Sequence, residues 1–420
     1  MNTNQQFISR HKYSDLVVSL CVDIYVGCRC GLRTTSQILT YLNERFEWGL
    51  QTTPSMGSVK NWVEKCGYSI YKEPLDHYQE EDYALITDES MMIGSEKMLL
   101  TLGISAEKKQ KGALSFKDVD ILDISIEHSW NGEKIAGVLD EIENKVGKPP
   151  SYVISDNASI MNKAIRTRQY THIPDVSHSL AMFVERKYKN DPSYIAFTKA
   201  ISGVKFRENM NPISYLLPPK QRVLARFMNI APCIKWSKLI LARFDSLSND
   251  EQNVFAFIKD HKKIIEELNE VTQAIESISS CLKTKGLSIK TIKECCHAIT
   301  TMSESKHLGT AEISHAFKQY IMGLQNSLSK RSNTWHASSD IIESCFGKYK
   351  ERKSCNPLDG VTRQVLILPI LTKLNSETKM ININFKQALE KNLLSDLKRW
   401  SYVNLTENLT IKRRRVLNVA

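Results

Sequence analysis

Between residues 81 and 193 the apolar residues take up the spacing of strands, and the order of the runs admits few topologies. Tyr83 to Ile86, Met98 to Ile104 and Val119 to Ile126 read as strands that follow one another with no helix between them. That succession implies an antiparallel meander. A helix is expected from Gly132 to Val146, crossing to a fourth strand, Tyr152 to Ile154, that would lie parallel to a neighbour. Ser159 to Arg168 then reads as helix and Thr171 to Val176 as a short strand, completing a mixed five-stranded sheet in an α/β chain.

The flanks keep a helical period. Three helices are expected in residues 13–71: Tyr13 to Gly27, Arg33 to Phe46, and Gly57 to Cys66 behind Thr53-Pro54-Ser55. In the third, Val59, Trp62 and Val63 are the buried positions, while Lys60, Asn61 and Lys65 point outward. A helix, a short loop and a helix opened by small hydroxyl residues is the helix-turn-helix pattern. Ser55, Ser58, Lys60, Asn61 and Lys65 would then reach phosphates and base edges; a small bundle with a polar face is the plainer alternative. From Ser179 to about Lys330 no strand candidate interrupts the helical period, so this stretch reads as a large all-helical insertion. Asp340 to Lys353 is a further helix, and the tail carries Lys412-Arg413-Arg414-Arg415, a solvated face or a phosphate contact. The expected domains are 1–78 (helix-turn-helix), 79–193 (first part of the sheet core), 194–330 (insertion), 331–395 (closing helices of the core) and 396–420 (basic tail).

A length of 420 residues calls for two or three domains, and 42% hydrophobic with 25% charged residues is globular composition. The net charge of +11 favours a polyanionic partner, because lysines and arginines facing phosphates release condensed counterions. Ten cysteines follow no disulfide rhythm, and no CxxC recurs with a matching CxxC or HxxxH, so reduced thiols in an intracellular compartment are expected and a structural zinc site is not. The start lacks a signal peptide's apolar core, and the longest apolar run, Val365 to Leu371, falls far short of a membrane span. A soluble protein with no membrane partner is expected.

Three widely separated acids carry the chemistry. Asp88 in YALITDES and Asp156 in SYVISDNAS close strand-like runs, and Glu343 in SSDIIESCFGKYK sits on a helix-like segment. Moving a DNA phosphodiester needs both the attacking and the leaving oxygen stabilised, which two divalent cations about 4 Å apart can do. Mg²⁺, or Mn²⁺ in its place, takes oxygen ligands, so three carboxylates at one sheet edge would suffice. Each acid also has a bland reading. Asp156-Asn157 before Ala158-Ser159 fits a turn and helix cap, Asp88-Glu89 fits a turn, and most helical glutamates are solvated. Asp340 or Glu351 could replace Glu343.

Asp175-Val176-Ser177-His178 follows the second aspartate; His178 could contact a phosphate, or hydrogen-bond Asp175 to fix the strand end. Lys350 lies two turns after Glu343, where an ammonium could hold DNA. Trp236 and Trp335 could stack on an unpaired base, although helical tryptophans more often belong to a core. Arg222, Arg226, Lys235, Lys238 and Arg243 make part of the insertion basic, as a DNA contact or a solvated face. No Gly-rich phosphate loop, Ser-centred elbow or HExxH is present.

TDES (Asp88), ISDNAS (Asp156), DVSH (Asp175, His178) and SSDIIESCFGKYK (Glu343, Lys350) resemble the motifs of DDE transposases, in the order helix-turn-helix, RNase H-like core and helical insertion. The D/CxxH element with an all-helical insertion before the glutamate is similar to the hAT and Mutator-like superfamilies and to insertion-sequence transposases. Unlike eukaryotic members, the chain has no cysteine/histidine zinc finger at its start. The resemblance implies that Asp88, Asp156 and Glu343 bind two Mg²⁺ ions, that water cuts the transposon end, and that the freed 3′-hydroxyl attacks target DNA. It also implies double-stranded DNA partners (terminal inverted repeats and target), and a homodimer or larger assembly. The compartment would be cytoplasm or nucleoid in a bacterium and the nucleus in a eukaryote. Two other functions fit the same residues: a catalytically inactive DNA-binding regulator, and a structure-selective nuclease that cuts without joining.

Overall fold

The computed structural model describes residues 6–109, 111–220, 227–328, 333–356 and 358–417. The chain divides into two compact units, one of Met1–Ala106, Leu114–His172 and Ser339–Ala420, the other of Glu107–Ala113 and Ile173–Ser338.

The first unit begins with helices α1 (Asp15–Val26), α2 (Leu32–Phe46) and α3 (Met56–Tyr71). Asp15 in the first turn of α1 complements the helix dipole. α2 ends on Glu47 in the left-handed region (φ 48°), and Asn43 brackets the following loop through both the N–H and the carbonyl of Leu50. Ser55 caps α3 by accepting from the Ser58 N–H at 3.2 Å. A short helix α4 (His77–Glu80) leads into the sheet.

Strands β1 (Tyr83–Glu89), β2 (Lys97–Ser105) and β3 (Asp120–Glu127) form the antiparallel meander expected from the sequence. Helix α5 (Gly132–Val146) is capped by Asn131 and ends on Gly147 at φ 87°. Next come β4 (Val153–Ser155), α6 (Ser159–Thr167) and β5 (His172–Pro174). The sheet order is β3-β2-β1-β4-β5, with β4 parallel to β1. β1 and β4 are buried on alternate residues of both faces: Tyr83, Leu85 and Val153 join a core cluster with Ile135, Leu139 and Met161, while Ala84, Ile86 and Ile154 are equally buried. Each such Leu or Ile stabilises the fold by roughly 2 kcal/mol. Thr87 and Thr101, opposite one another in the register, bond through their buried hydroxyls at 3.0 Å.

Within the second unit, the described helices are α7 (Val176–Tyr188), α8 (Pro192–Glu208), α9 (Ala231–Arg243), α10 (Asn249–Phe255), α11 (Phe257–Asp260), α12 (Lys262–Lys285), α13 (Ile289–Ser303) and α14 (Leu308–Ser327). α12 packs against α9, α13 and α14, burying Ile264, Ile265, Leu268, Val271, Ile278 and Leu282 at helical spacing. The helical period of residues 253–282 is broken before α12, where the His261 ring meets Phe197 and Phe257 edge-on. Residues 107–113 belong to this unit: the Lys108 N–H donates to Thr334 O at 2.7 Å and the Gly112 N–H to Thr284 O at 2.9 Å.

The chain returns to the first unit in α15 (Asp340–Lys350), α16 (Ile367–Thr372), α17 (Phe385–Lys391), α18 (Leu394–Asn404) and α19 (Leu409–Leu417). The apolar run around Ile367 is a core helix, packed on α3 and β3. No described helix is long and apolar enough to cross a membrane. α3 is enclosed by α1, α2, α16, α17 and α18. A Cβ at Gly67 would sit 1.8 Å from Leu366 O, so only glycine allows this approach.

Candidate active site

Two of the three predicted acids are set by strand register. Leu85 pairs with Val153 and Ile86 with Ile154, and carrying that register two residues on aligns Asp88 with Asp156. Neighbouring strands run roughly 4.8 Å apart; Asp88 lies within β1, and Asp156 follows β4 directly. β1 continues through Asp88 to Glu89, beyond the apolar run that announced it. Both aspartates are half-buried. Asp88 Oδ1 accepts from the Glu89 N–H at 2.8 Å, and Asp156 Oδ1 from the Ala158 N–H at 3.0 Å. The second bond is the turn foreseen as Asp156's bland reading.

Glu343 stands on α15, which packs against β1. Ile341, Ile342, Cys345, Phe346 and Tyr349 turn inward from this helix, while Asp340 and Glu343 are exposed and Lys350 is half-exposed. Among the described residues, no three His, Cys, Asp or Glu side chains are grouped as a metal site.

Asp175 and His178 belong to the second unit, whereas the three acids and Lys350 belong to the first. Asp175 is fully buried and caps α7, its Oδ1 accepting from the His178 backbone N–H at 2.8 Å.

The predicted DNA contacts fare unevenly. Ser55 and Lys60 are exposed, and Ser58 and Asn61 half-exposed, on the first turns of α3. Lys65 is corrected: it is buried rather than outward, and its ammonium donates to Leu389 O at 3.3 Å. Burial pushes its pKa below the usual lysine value. Its aliphatic stem crosses the apolar interior to reach that carbonyl. Trp335 is likewise corrected, being 3% exposed and paired through its backbone with Leu287, so it is no stacking platform. Trp236 is half-buried, its indole N–H donating to Leu216 O at 2.8 Å and its ring edge-on to Phe255. Lys235 pairs with Glu276 at 2.6 Å, and Lys238 and Arg243 are exposed. Arg222 and Arg226 lie outside the described residues.

Three features of the first unit were missed. The His172 ring lies 2.9 Å from Ser155 Oγ, beside Asp156. Its only sequence signal was membership of the fifth strand run. Glu64, 2% exposed on α3, pairs with Arg363 at 3.2 Å and more distantly with Lys60 at 3.8 Å. Burial raises its pKa, and the two cations oppose that rise. Asp123 on β3 is pushed up to about 6, chiefly by burial. Compared with known proteins, the chain matches no family model and no curated sequence.

Proposed function

We propose that the chain is a DDE-type DNA transposase that binds transposon ends and cuts and joins DNA at Asp88, Asp156 and Glu343. The observation that carries this reading is the parallel β1–β4 register, Leu85 to Val153 and Ile86 to Ile154, whose continuation by two residues would bring Asp88 and Asp156 to the same end of neighbouring strands. The sheet order and the antiparallel meander support an RNase H-like frame. The packing of α15 on β1 supports Glu343 as the third acid.

The donor set fits Mg²⁺ or Mn²⁺, because carboxylate oxygens are the hard ligands these ions take. Two such ions, when bound, supply Lewis-acid stabilisation of the attacking and leaving oxygens. Asp88 and Asp156 offer their carboxylates from a fixed backbone, and Glu343 from a helix braced on the same strand. Lys350, two turns along α15, neutralises a phosphate. Ser55, Ser58, Lys60 and Asn61 at the start of α3 meet the duplex, in the manner of a recognition helix that uses its first turns. The working form is a homodimer or larger assembly on paired ends.

The test is a cleavage and joining assay in Mg²⁺, using duplexes drawn from the DNA that flanks this chain's gene and a supplied target. Asp156→Ala should cut the rate by about 1000-fold or more while duplex binding survives. Equal cutting by the two proteins overturns the reading, and cut products that never join to the target point to a nuclease instead.

A further inference from the structure

We propose that His172 is a positioning residue for the carboxylate of Asp156, acting through the hydroxyl of Ser155; this rests on Asp156 being a cation ligand as read above. β4 ends at Ser155, one residue before the aspartate, and the last pair that fixes β1 against β4 is Ile86 with Ile154. A side-chain relay takes over there. Ser155 is fully buried, and its Oγ donates to the carbonyl of Asp156 at 3.0 Å. A hydroxyl has one proton. With that proton on the Asp156 carbonyl, the 2.9 Å contact between Ser155 Oγ and His172 Nε2 requires the imidazole to donate. β5 holds the histidine in range, because the Val153 N–H donates to Thr171 O at 2.8 Å.

Asp156 is therefore clamped twice, at its carbonyl by Ser155 and at Oδ1 by the Ala158 N–H. The first bond restrains the backbone just after its Cα, and the second restrains the carboxylate itself. Burial lowers the His172 pKa to about 4, partly opposed by a hydrogen bond to the Ser155 backbone. The ring is thus neutral near pH 7. An apolar residue would fill this space without desolvating an imidazole; a hydrogen-bond donor aimed at Ser155 is what the histidine adds. Partners that orient a ligand from behind typically change metal affinity by about 10- to 100-fold when removed.

The experiment measures Mn²⁺ binding to the full chain by electron paramagnetic resonance of the free ion, without DNA. Asp156→Ala reports whether the ion uses that carboxylate. His172→Phe should weaken binding about 10-fold, and Ser155→Ala by a similar factor. His172→Gln, whose amide N–H can reach the same hydroxyl, should restore wild-type affinity, a rescue that space-filling alone does not predict. If His172→Phe lowers the melting temperature, Ser155→Ala with an unchanged melt carries the comparison. Wild-type affinity in both His172→Phe and Ser155→Ala, with loss in Asp156→Ala, overturns the positioning role and leaves the carboxylate site standing. Wild-type affinity in Asp156→Ala overturns the site reading and the relay with it.

Discussion

The sheet and helix α3 treat their charged residues in opposite ways. β1 and β4 are apolar along their length and place their acids at the ends, where Asp88 and Asp156 are half-exposed. α3 carries charge in its middle, with Glu64 and Lys65 both buried and each facing a residue about 300 positions away, Glu64 the Arg363 guanidinium as an ion pair and Lys65 the Leu389 carbonyl. A strand end meets solvent wherever the sheet stops, so an acid there is available to a ligand. A mid-helix charge enclosed by five other helices serves the packing. The lesson concerns where to look for function: at α3 only the first turns are open to a partner.

The sharpest way to break this contrast is to remove the counter-ion inside the helical cluster. Arg363→Ala leaves Glu64 buried beside only the distant Lys60, and should destabilise the first unit by about 3 kcal/mol, read as a drop in denaturant midpoint. Glu64→Gln in the same background should recover most of that loss. The raised folded pKa of Glu64 sets the sign: the deficit of Arg363→Ala shrinks as pH falls and the carboxyl takes a proton. Equal stability of wild type and Arg363→Ala at neutral pH would mean that the ion pair carries no weight.

Asp123 tests the sheet side, because it is an acid held within a strand instead of at its end. Its folded pKa of about 6 lies above the ordinary value, so the folded state binds more protons than the unfolded chain between roughly pH 4 and 6. The contribution of this group is present below that window and lost as pH rises through it. Asp123→Asn should therefore gain about 2 kcal/mol at pH 7 and remove the decline across the window, seen in unfolding curves at pH 4, 5, 6 and 7. A substitution that destabilises at pH 7 would show that Ser125 and Lys145 hold the ionised form firmly.

The smallest effect belongs to the exposed end of α3. Lys60→Ala should weaken duplex binding modestly and reduce the slope of log affinity against log salt by about 1, whatever the sequence of the duplex. An unchanged slope would remove Lys60 from the interface, leaving the open turn of α3 to Ser55, Ser58 and Asn61.

What the sequence disclosed follows from periodicity. The strand order and the bounds of α5 were legible because repeats of two and of about 3.6 residues betray strands and helices directly. The carboxylates stood out because acids closing apolar runs break the pattern abruptly. Lys65 was misread because a helical wheel registers a lysine as polar, whereas only the distant Leu389 carbonyl explains its burial. Trp335 was misread for want of knowing that it pairs with Leu287. The His172–Ser155 contact depends on β5 lying beside β4, and no local spacing encodes that adjacency.

The excursion of residues 107–113 into the helical unit bears on how that unit can be handled. Excising 173–338 as one block would strand the β2–β3 connector, leaving the Lys108 and Gly112 N–H groups without the carbonyls of Thr334 and Thr284. The helical unit is sewn to the chain by a second stitch, and a clean truncation has to unpick both.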